Sequence, residues 1–372
     1  MSILGESQEM LGHLVSRYLI DNYDFEARQA ALKRDGWPSS LWSAFADELG
    51  ILGVAFNEAL GGLGLGPLDS MVVMEALGRG LAAEPFLSSV VGFGALVNRL
   101  ETDASDKLDA LVGEVIGGRA RIALALADDA GGRTLTRLAD GWSLQGSAPI
   151  VPSAGDATHV AISAKTAEGH MAIIMMDRSA EGLHWSSVPL IDGTGAGGLE
   201  IDAVIDDQAV ITLDGEAAIQ ASHDALLAAL SAEITGIIAA LIEITVDFAS
   251  QRTQFGKALS TFQVLQHRMA DMYVEGELSR SMALLAALKL DASTAERRAT
   301  LAAAKARTGK AGRMVAQSAI QIHGGIGTTD ELIVGHYFKR LLAIEALYGS
   351  ADSHIKRYAD QRAQLGQPIP VV

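Results

Sequence analysis

The stretch RTQFGKALSTFQVLQHRMADMY, residues 252–273, interrupts a sequence that is helical in pattern on both sides. Upstream, apolar residues recur at intervals of three and four over 226–248, as on the buried face of a helix. A second helical pattern covers about 262–290. Gly256 lies between the two patterns, and glycine adopts backbone conformations that other residues avoid. The pattern therefore predicts two long helices joined at a corner.

The residue types at this corner allow two interpretations. Arg252, Phe255, Gln263 and Gln266 place one cation, one aromatic ring and two amides around it. In the simpler interpretation the corner is a capped αα-hairpin, in which Phe255 packs and the amides are solvated. In the other, the corner delivers these groups to a ligand. Residue types alone favour the simpler interpretation.

Composition predicts a mainly helical protein with a substantial core. The chain has 372 residues and a mass of 39.0 kDa, which is enough for about two or three domains. Hydrophobic residues make up 49% of the chain and aromatic residues only 5%. Ala and Leu predominate among the apolar residues, and this favours helices over an all-β architecture.

Charge and cysteine content exclude several classes of function. The chain has 29 Lys and Arg against 45 Asp and Glu, for a net charge of -16, which opposes binding to nucleic acid or to an anionic membrane. A small phosphorylated ligand remains possible where a few cations and backbone N–H groups converge. Because there is no cysteine, disulfides, thiolate metal sites and a Cys nucleophile are excluded.

The apolar segments predict a cytoplasmic protein. The N-terminal MSILGESQEMLGHLVSRY lacks the basic segment and continuous apolar core of a signal peptide. The most apolar stretch, residues 225–242, contains Ser231 and Glu233 near its centre. A carboxylate at that position is costly in lipid, so the stretch is interpreted as a buried helix.

The period of the apolar pattern divides the chain into three regions. Residues 1–118 have helical spacing and short turns, and residues 215–372 predict a C-terminal helical bundle. Between them, residues 119–214 change period and predict a small β domain. Its β-prone segments are RIALALADD, GWSLQGSAPIV, HVAISAKT, MAIIMMD and LHWSSVPL.

Two long motifs resemble the signatures of the acyl-CoA dehydrogenase family. The first is QRTQFGKALSTFQVLQHRMADM, and the second is QIHGGIGTTDE at 321–331, followed in register by GHYFKRL. The resemblance spans nearly the whole chain. It implies an N-terminal helical domain, a middle β-barrel and a C-terminal four-helix bundle. The N-terminal region is also similar to the small subunits of pimeloyl-CoA-type dehydrogenases.

The resemblance implies a flavin enzyme. Members of the family hold FAD between the β domain and the C-terminal bundle, and they oxidise an acyl-CoA between its α and β carbons. It further implies an assembly of two or four chains, alike or different, and an electron-transferring flavoprotein as electron acceptor.

Carried over from the family, the first motif supplies contacts to the FAD of a neighbouring subunit. Arg252 would neutralise a phosphate, since a guanidinium offers a bidentate fork that matches a pyrophosphate. Phe255 would pack on the adenosine half, and Gln263 would donate a hydrogen bond across the interface. These contacts would explain why the helical pattern is broken at this corner.

The second motif is expected to bring backbone close to the same dinucleotide. Gln321, Gly324 and Gly325 would line it, with the two glycines omitting side chains that would block the approach. A plain loop between two helices is the alternative. His323 is expected to be a loop or core residue because no second ligand lies at metal-binding spacing, so the chain is predicted to bind no metal.

The chain departs from the family at the catalytic base. The family places a Glu immediately before a Gly-Thr pair, whereas here Tyr348 precedes Gly349. A phenol has a reference pKa of about 10 against about 4.3 for Glu, so it is a poor base at neutral pH. Some branches carry the base on the first bundle helix, where Glu233 lies on the apolar stripe. Glu233 is therefore a candidate base, with a structural ion pair to a facing helix as the alternative.

The β domain departs from the family at two further places beside the flavin. The family's Thr-Glu-Pro-Gly-Ala-Gly-Ser-Asp is replaced by LADDAGGRT at 126–134. Its Trp-Ile-Thr is replaced by Ile150-Val151-Pro152, and proline has neither a hydroxyl nor an N–H. Ser153 is the residue expected to supply the missing hydrogen bond.

Three hypotheses follow from these motifs and departures. The chain could be an active FAD-dependent dehydrogenase with a relocated base. It could instead be a structural subunit that keeps the contacts of Arg252 and Gln263 and completes the FAD site of a sister chain. A flavin oxidase of the same fold is the third. The retained first motif beside an altered local site favours the second.

Overall fold

The computed structural model describes residues 4–33, 40–100, 106–127 and 132–364. Residue contacts divide the chain into two compact units. One consists of Met1–Gln29, Pro67–Ala82 and Leu227–Val372, and the other of Ala30–Gly66 and Ala83–Leu226. Each unit is therefore built from segments that are distant in sequence.

Most of the described chain is helical. The α-helices are α1 (Glu6–Asn22), α2 (Phe25–Leu32), α3 (Ser40–Asp47), α4 (Pro67–Arg79), α5 (Phe93–Val97), α6 (Asp106–Ile116), α7 (Glu216–Gln251), α8 (Gln263–Leu288), α9 (Thr294–His323), α10 (Ile333–Ala346) and α11 (Ala351–Gln364). A π-helical turn, Leu87–Gly92, leads into α5.

In the described residues, ten strands form one large sheet and one small hairpin. They are β1 (Ile122–Ala125), β2 (Thr134–Arg137), β3 (Trp142–Pro152), β4 (His159–Thr166), β5 (Met171–Asp177), β6 (Leu183–Pro189), β7 (Gly195–Ile205), β8 (Val210–Thr212), β9 (Thr253–Gln254) and β10 (Lys257–Ala258). The large sheet has the order β6-β7-β3-β2-β4-β5-β8, and β1 pairs with β4.

The large sheet is mixed and encloses its own core. β4 pairs in parallel with β1 and β2, whereas the remaining pairs are antiparallel. Apolar side chains such as Leu144, Val160 and Ile174 are fully buried in this core. The longest pairing joins β3 to β7, with a register shift between Ala148 and Val151. The sheet thus supplies a rigid support for the loop that follows Pro152.

Helix α7 is 36 residues long, and from Leu227 onwards it belongs to the unit that also contains α4. It is long and apolar enough to cross a membrane by length and composition, but 83% of its most apolar window is buried within the chain. Helix α4 crosses it at two glycines. A Cβ on Gly236 would lie 1.9 Å from the main-chain oxygen of Glu75, and a Cβ on Gly78 would lie 2.2 Å from that of Glu233. The two backbones are therefore in direct contact.

The predicted fold class is confirmed by this architecture. The described chain is mainly helical, its large sheet lies between Ile122 and Thr212, and long helices follow from Glu216 onwards. The sequence did not predict β7. Its glycines lower strand propensity, but Gly197 is needed there because a Cβ would lie 2.7 Å from the ring of Trp185.

Candidate functional site

The corner between α7 and α8 is a β-hairpin, not the αα-hairpin considered from the sequence. Strands β9 and β10 pair Thr253 with Ala258 and Gln254 with Lys257. The two turn residues both have left-handed backbones, with φ of 53° at Phe255 and 79° at Gly256. Two such residues make the type I′ turn that suits the twist of a two-residue hairpin. A bulky residue is strained at the first position of this turn, so the left-handed backbone of Phe255 persists only where other contacts impose it.

The hairpin projects its family-motif side chains outward. Phe255 is 91% exposed, and its ring packs edge-on with that of Phe262 at a centroid distance of 6.2 Å. Lys257 Nζ lies 4.4 Å from the centre of the Phe262 ring. Arg252 and Gln263 are exposed, and neither side chain contacts a hydrogen-bonding or ionic partner among the described residues. These groups are therefore available to something outside the chain.

The second motif ends α9 and opens an exposed glycine turn. Gln321, Gly324 and Gly325 are all exposed. Gly324 has a φ of 67°, and a Cβ on Gly324 or Gly325 would have no atom within 4 Å among the described residues. Bare backbone facing open space can be approached by a ligand. The structure thus leaves room at the position where the family resemblance requires it.

His323 is a buried residue of this turn. Its ring stacks on Phe248 at a centroid distance of 4.3 Å, and its Nδ1 lies 2.8 Å from the carbonyl oxygen of Ala319. Burial lowers the pKa of His323, while the Ala319 carbonyl opposes the shift. Among the described residues no three His, Asp, Glu or Cys side chains form a metal-binding group. The expected absence of a metal stays a prediction.

The far end of the glycine turn is held by a network that the sequence did not reveal. His336 Nε2 and Gln29 Nε2 lie 3.2 and 3.0 Å from the carbonyl oxygen of Asp330. Buried Arg28 donates to His336 Nδ1 at 3.2 Å and to the Leu81 carbonyl at 3.0 Å. Since Arg28 can only donate, His336 carries its proton on Nε2. Arg28 and Gln29 are about 300 residues away from their partners His336 and Asp330, so no local pattern indicates these contacts.

Ser153 begins a loop that two arginines hold. It has a left-handed backbone with a φ of 59°, and its N–H donates to Gly195 at 3.0 Å. Arg121 donates to the Asp156 carbonyl at 2.6 Å, and Arg178 donates to the Ala154 carbonyl at 2.7 Å. The Ser153 hydroxyl remains the group that could serve a flavin. In the nearby segment LADDAGGRT, residues 128–131 lie outside the described residues.

Glu233 forms a buried bidentate ion pair. It is 4% exposed, and its two carboxylate oxygens accept from Arg340 Nε at 2.6 Å and Arg340 Nη2 at 3.0 Å. Arg340 lies on α10, so this is the ion pair to a facing helix that the sequence left open as the alternative. The forked geometry gives each oxygen a charged donor. The catalytic role of Glu233 stays a prediction.

Tyr348 lies in the turn between α10 and α11, and its side chain packs into the helical unit. It lies against a core cluster that includes Leu227 of α7, Ala286 of α8 and Leu301 of α9. Burial raises the pKa of Tyr348 to about 12. The phenol is therefore neutral at physiological pH and is a poor base. Of the nearby carboxylates, Glu345 pairs with Arg313 at 3.1 Å and Asp352 is exposed.

Comparison with known proteins matches both ends of the chain to one family. A family model described as "Acyl-CoA dehydrogenase, C-terminal domain" matches residues 218–364, and "Acyl-CoA dehydrogenase, N-terminal domain" matches residues 5–107. Together they cover more than half of the chain. "Acyl-CoA dehydrogenase IpdE2" of Mycobacterium tuberculosis is 28% identical over 90% of this chain and 91% of its own length.

Solved structures share the whole fold. The "Tcur3481-Tcur3483 steroid ACAD G363A variant" has a TM-score of 0.88 at 29% identity, covering 97% of this chain and 99% of that one. A chain of the "ChsE4-ChsE5 complex from Mycobacterium tuberculosis" has a TM-score of 0.89 at 25% identity, with 100% of both chains covered. The similarity to pimeloyl-CoA-type subunits stays a prediction.

Proposed function

Because this chain belongs to the acyl-CoA dehydrogenase family, we propose that it is one subunit of an oligomeric, FAD-dependent acyl-CoA dehydrogenase. Family membership confirms the predicted oxidoreductase class and FAD as the cofactor. FAD, when bound, accepts the hydride that leaves the β carbon of the acyl group. The proposed role of this chain is to bind and orient that cofactor for a sister chain that supplies the base.

One observation carries the proposal: the motif residues face outward, whereas the two candidate bases are engaged within the chain. Arg252, Phe255 and Gln263 are exposed on the hairpin and the start of α8. Glu233 is held by Arg340, and the partly buried Tyr348 packs against a core cluster. A chain that acted alone would need the reverse arrangement, with a free base and cofactor contacts turned inward.

The donor set on the exposed side fits a dinucleotide. The Arg252 guanidinium can bind two phosphate oxygens in parallel. The backbone at Gly324 and Gly325 is open to close approach, and Gln321 stands at the same helix end. A flat, exposed Phe255 ring can cover an adenine. Ser153 belongs to the other unit of the chain and would act on the cofactor of its own subunit.

An exposed apolar stripe on α8 supports an oligomer. Its members lie at intervals of four, seven and three, which keeps them on one side of the helix, and they are between 38% and 54% exposed: Val274, Leu278, Leu285 and Leu288. A row of this kind is typical of a surface covered by another chain. The related ChsE4-ChsE5 complex pairs two different chains, and this proposal assigns the same kind of partner here.

Co-purification with a sister chain tests the proposal. The chain is expressed alone and together with a second acyl-CoA dehydrogenase subunit from its genomic neighbourhood. The visible spectrum reports bound flavin, and bleaching by short-chain, long-chain and steroid-derived acyl-CoA thioesters reports dehydrogenation. We expect flavin and activity only in the complex. A homomer that binds FAD and reduces it with an acyl-CoA would show instead that the chain has its own base.

A further inference from the structure

The turn between α10 and α11 has an unusual backbone at the residue that replaces the family's base. Tyr348 has a φ of 56° and Gly349 a φ of 107°, so two consecutive residues leave the ordinary right-handed region. Glycine tolerates this conformation, but tyrosine is strained in it. Such a conformation persists only where surrounding contacts impose it. The contacts of the turn therefore show what holds residue 348 in place.

The first contact is a buried lysine from the middle of α9. Lys305 is 1% exposed, and its Nζ donates to the carbonyl oxygens of Ile344 at 2.9 Å and Gly349 at 3.2 Å. These two carbonyls flank Tyr348 on either side. Burial lowers the pKa of Lys305 to about 8, and the charge of Glu345 opposes the shift. Because an ammonium is costly to bury, the hydrogen bonds of Lys305 to these two carbonyls indicate a specific role.

Two further side chains bind backbone groups of the turn. His354 is fully buried, and its Nε2 lies 3.0 Å from the carbonyl oxygen of Tyr348. Glu345 Oε1 accepts the N–H of Ala351 at 3.2 Å. The turn is therefore bound from α9, from α10 and from α11. Of these three side chains, Lys305 is the one that donates to carbonyl oxygens on both sides of residue 348.

We infer that Lys305 is a positioning residue, which fixes the turn that carries residue 348 and keeps the Tyr348 ring inside the helical unit. The lysine touches no substrate or cofactor in this role. It acts through the two carbonyls, and the turn then directs the side chain at position 348. The inference rests on the proposed function only in treating position 348 as the family's base position.

A purely structural role for Lys305 would have a different signature. If the lysine contributed only to general core stability, its loss would loosen the helical unit as a whole. If it positions the turn, its loss would release Tyr348 while leaving other buried groups protected. Tyr337 is a suitable reference because it is 3% exposed and lies on α10, before the turn. Tyr273 is 58% exposed and reports the reaction itself.

Chemical nitration of tyrosine with tetranitromethane, mapped by peptide mass spectrometry, separates the two roles. In the wild-type chain, we expect modification of Tyr273 and protection of Tyr337 and Tyr348. Lys305→Met keeps the length of the side chain but removes the donors, and it should raise the nitration rate of Tyr348 by about tenfold, the change given by a tenfold larger open population. Tyr337 should stay protected. Lys310→Met removes an exposed ammonium from the same helix and should leave the map unchanged.

Tyr348 that stays protected in Lys305→Met would show that the lysine does not hold the turn. If Tyr337 and Tyr348 react together, the milder Lys305→Gln variant is mapped, and joint reaction there too would assign a general structural role. Nitration needs neither flavin nor a partner chain, so it can fail independently of the proposed function. The flavin content of the assembled complex tests that function separately.

Discussion

Two aromatic-glycine pairs in this chain have similar backbone conformations but lie in different environments. Phe255-Gly256 and Tyr348-Gly349 both place a bulky residue in the left-handed region, at φ of 53° and 56°. Phe255 is 91% exposed, whereas Tyr348 packs against the helical core. Strain in the second case is offset by packing and by the hydrogen bonds of Lys305 and His354. Strain in the first has no such compensation within the described chain, so we attribute it to contacts made in an assembly.

The largest expected effect comes from placing a charge at each aromatic position. Tyr348→Glu puts an uncompensated carboxylate into an apolar cluster and should lower the free energy of unfolding by about 3 kcal/mol. Phe255→Glu, at an exposed position, should change it by no more than about 0.5 kcal/mol. Urea denaturation of both variants measures the difference. Equal stabilities would remove the contrast between the two turns.

Glu233→Gln tests whether the Glu233 carboxylate stabilises the fold as part of a buried ion pair. The amide leaves the Arg340 guanidinium without its counter-charge, and the cost of breaking a buried pair is about 3 kcal/mol. The double variant Glu233→Gln, Arg340→Met should recover part of that loss, because no unpaired charge remains. Thermal and urea denaturation provide the measurement. Full stability together with lost flavin reduction in Glu233→Gln would identify a catalytic base instead.

Variants of Arg252 test the proposed role of the exposed hairpin residues. In the assembled complex, Arg252→Ala should weaken FAD binding by about 10-fold to 100-fold, which corresponds to a charge-assisted hydrogen-bonded contact of about 1.5–3 kcal/mol. Arg252→Lys should lose less, since it keeps the charge but not the fork. Flavin release on dilution gives both affinities, and Arg268→Ala on α8 is the control. Equal losses in the two Arg252 variants would show that only charge matters.

The smallest expected effect is a pH dependence of the glycine turn. Burial lowers the pKa of His336 below its ordinary value, the Asp330 carbonyl and carboxylate oppose this, and Arg28 and Lys339 reinforce it. The unfolded chain therefore binds a proton at His336 more readily than the folded chain does. The contribution of neutral His336 to the free energy of unfolding is complete above a pH of about 6.5 and is lost as the pH falls below that value. His336→Gln should remove this contribution. The free energy of unfolding should then fall less steeply between pH 7 and 5, by at most about 1.4 kcal/mol per pH unit.

Much of the fold followed from the sequence because apolar periodicity is a local property. The long helices and strands such as Met171–Asp177 have continuous patterns that packing does not override. The hairpin at Thr253–Ala258 was missed because its strands have two residues each, too few for a period. β7 was missed because its glycines satisfy a close approach by Trp185 from the neighbouring strand, which is a tertiary requirement.

The site was predictable only where chemistry is carried by a motif. Arg252 and the glycine pair were singled out by their resemblance to two family motifs, and their exposure is compatible with the proposed role outside the chain. The partners of Glu233 and Lys305 were not predictable, since Arg340 lies 107 residues away and Ile344 lies 39 residues away. A local signal for Lys305 did exist: it is the only charged residue in the run LAAAKA at 301–306, where a helix has little other polar surface.

The outward-facing Phe255 and the apolar stripe on α8 also affect the abundance of this protein in a cell. An unassembled chain presents a bare aromatic ring at the hairpin and a row of apolar side chains further along α8. Exposed apolar surface of this kind is what chaperones and proteases recognise in orphan subunits. Its abundance should then follow the supply of the partner rather than its own rate of synthesis. Pulse-chase measurement in cells that lack the sister chain should show faster turnover, and Leu278→Lys in those cells should lengthen the lifetime.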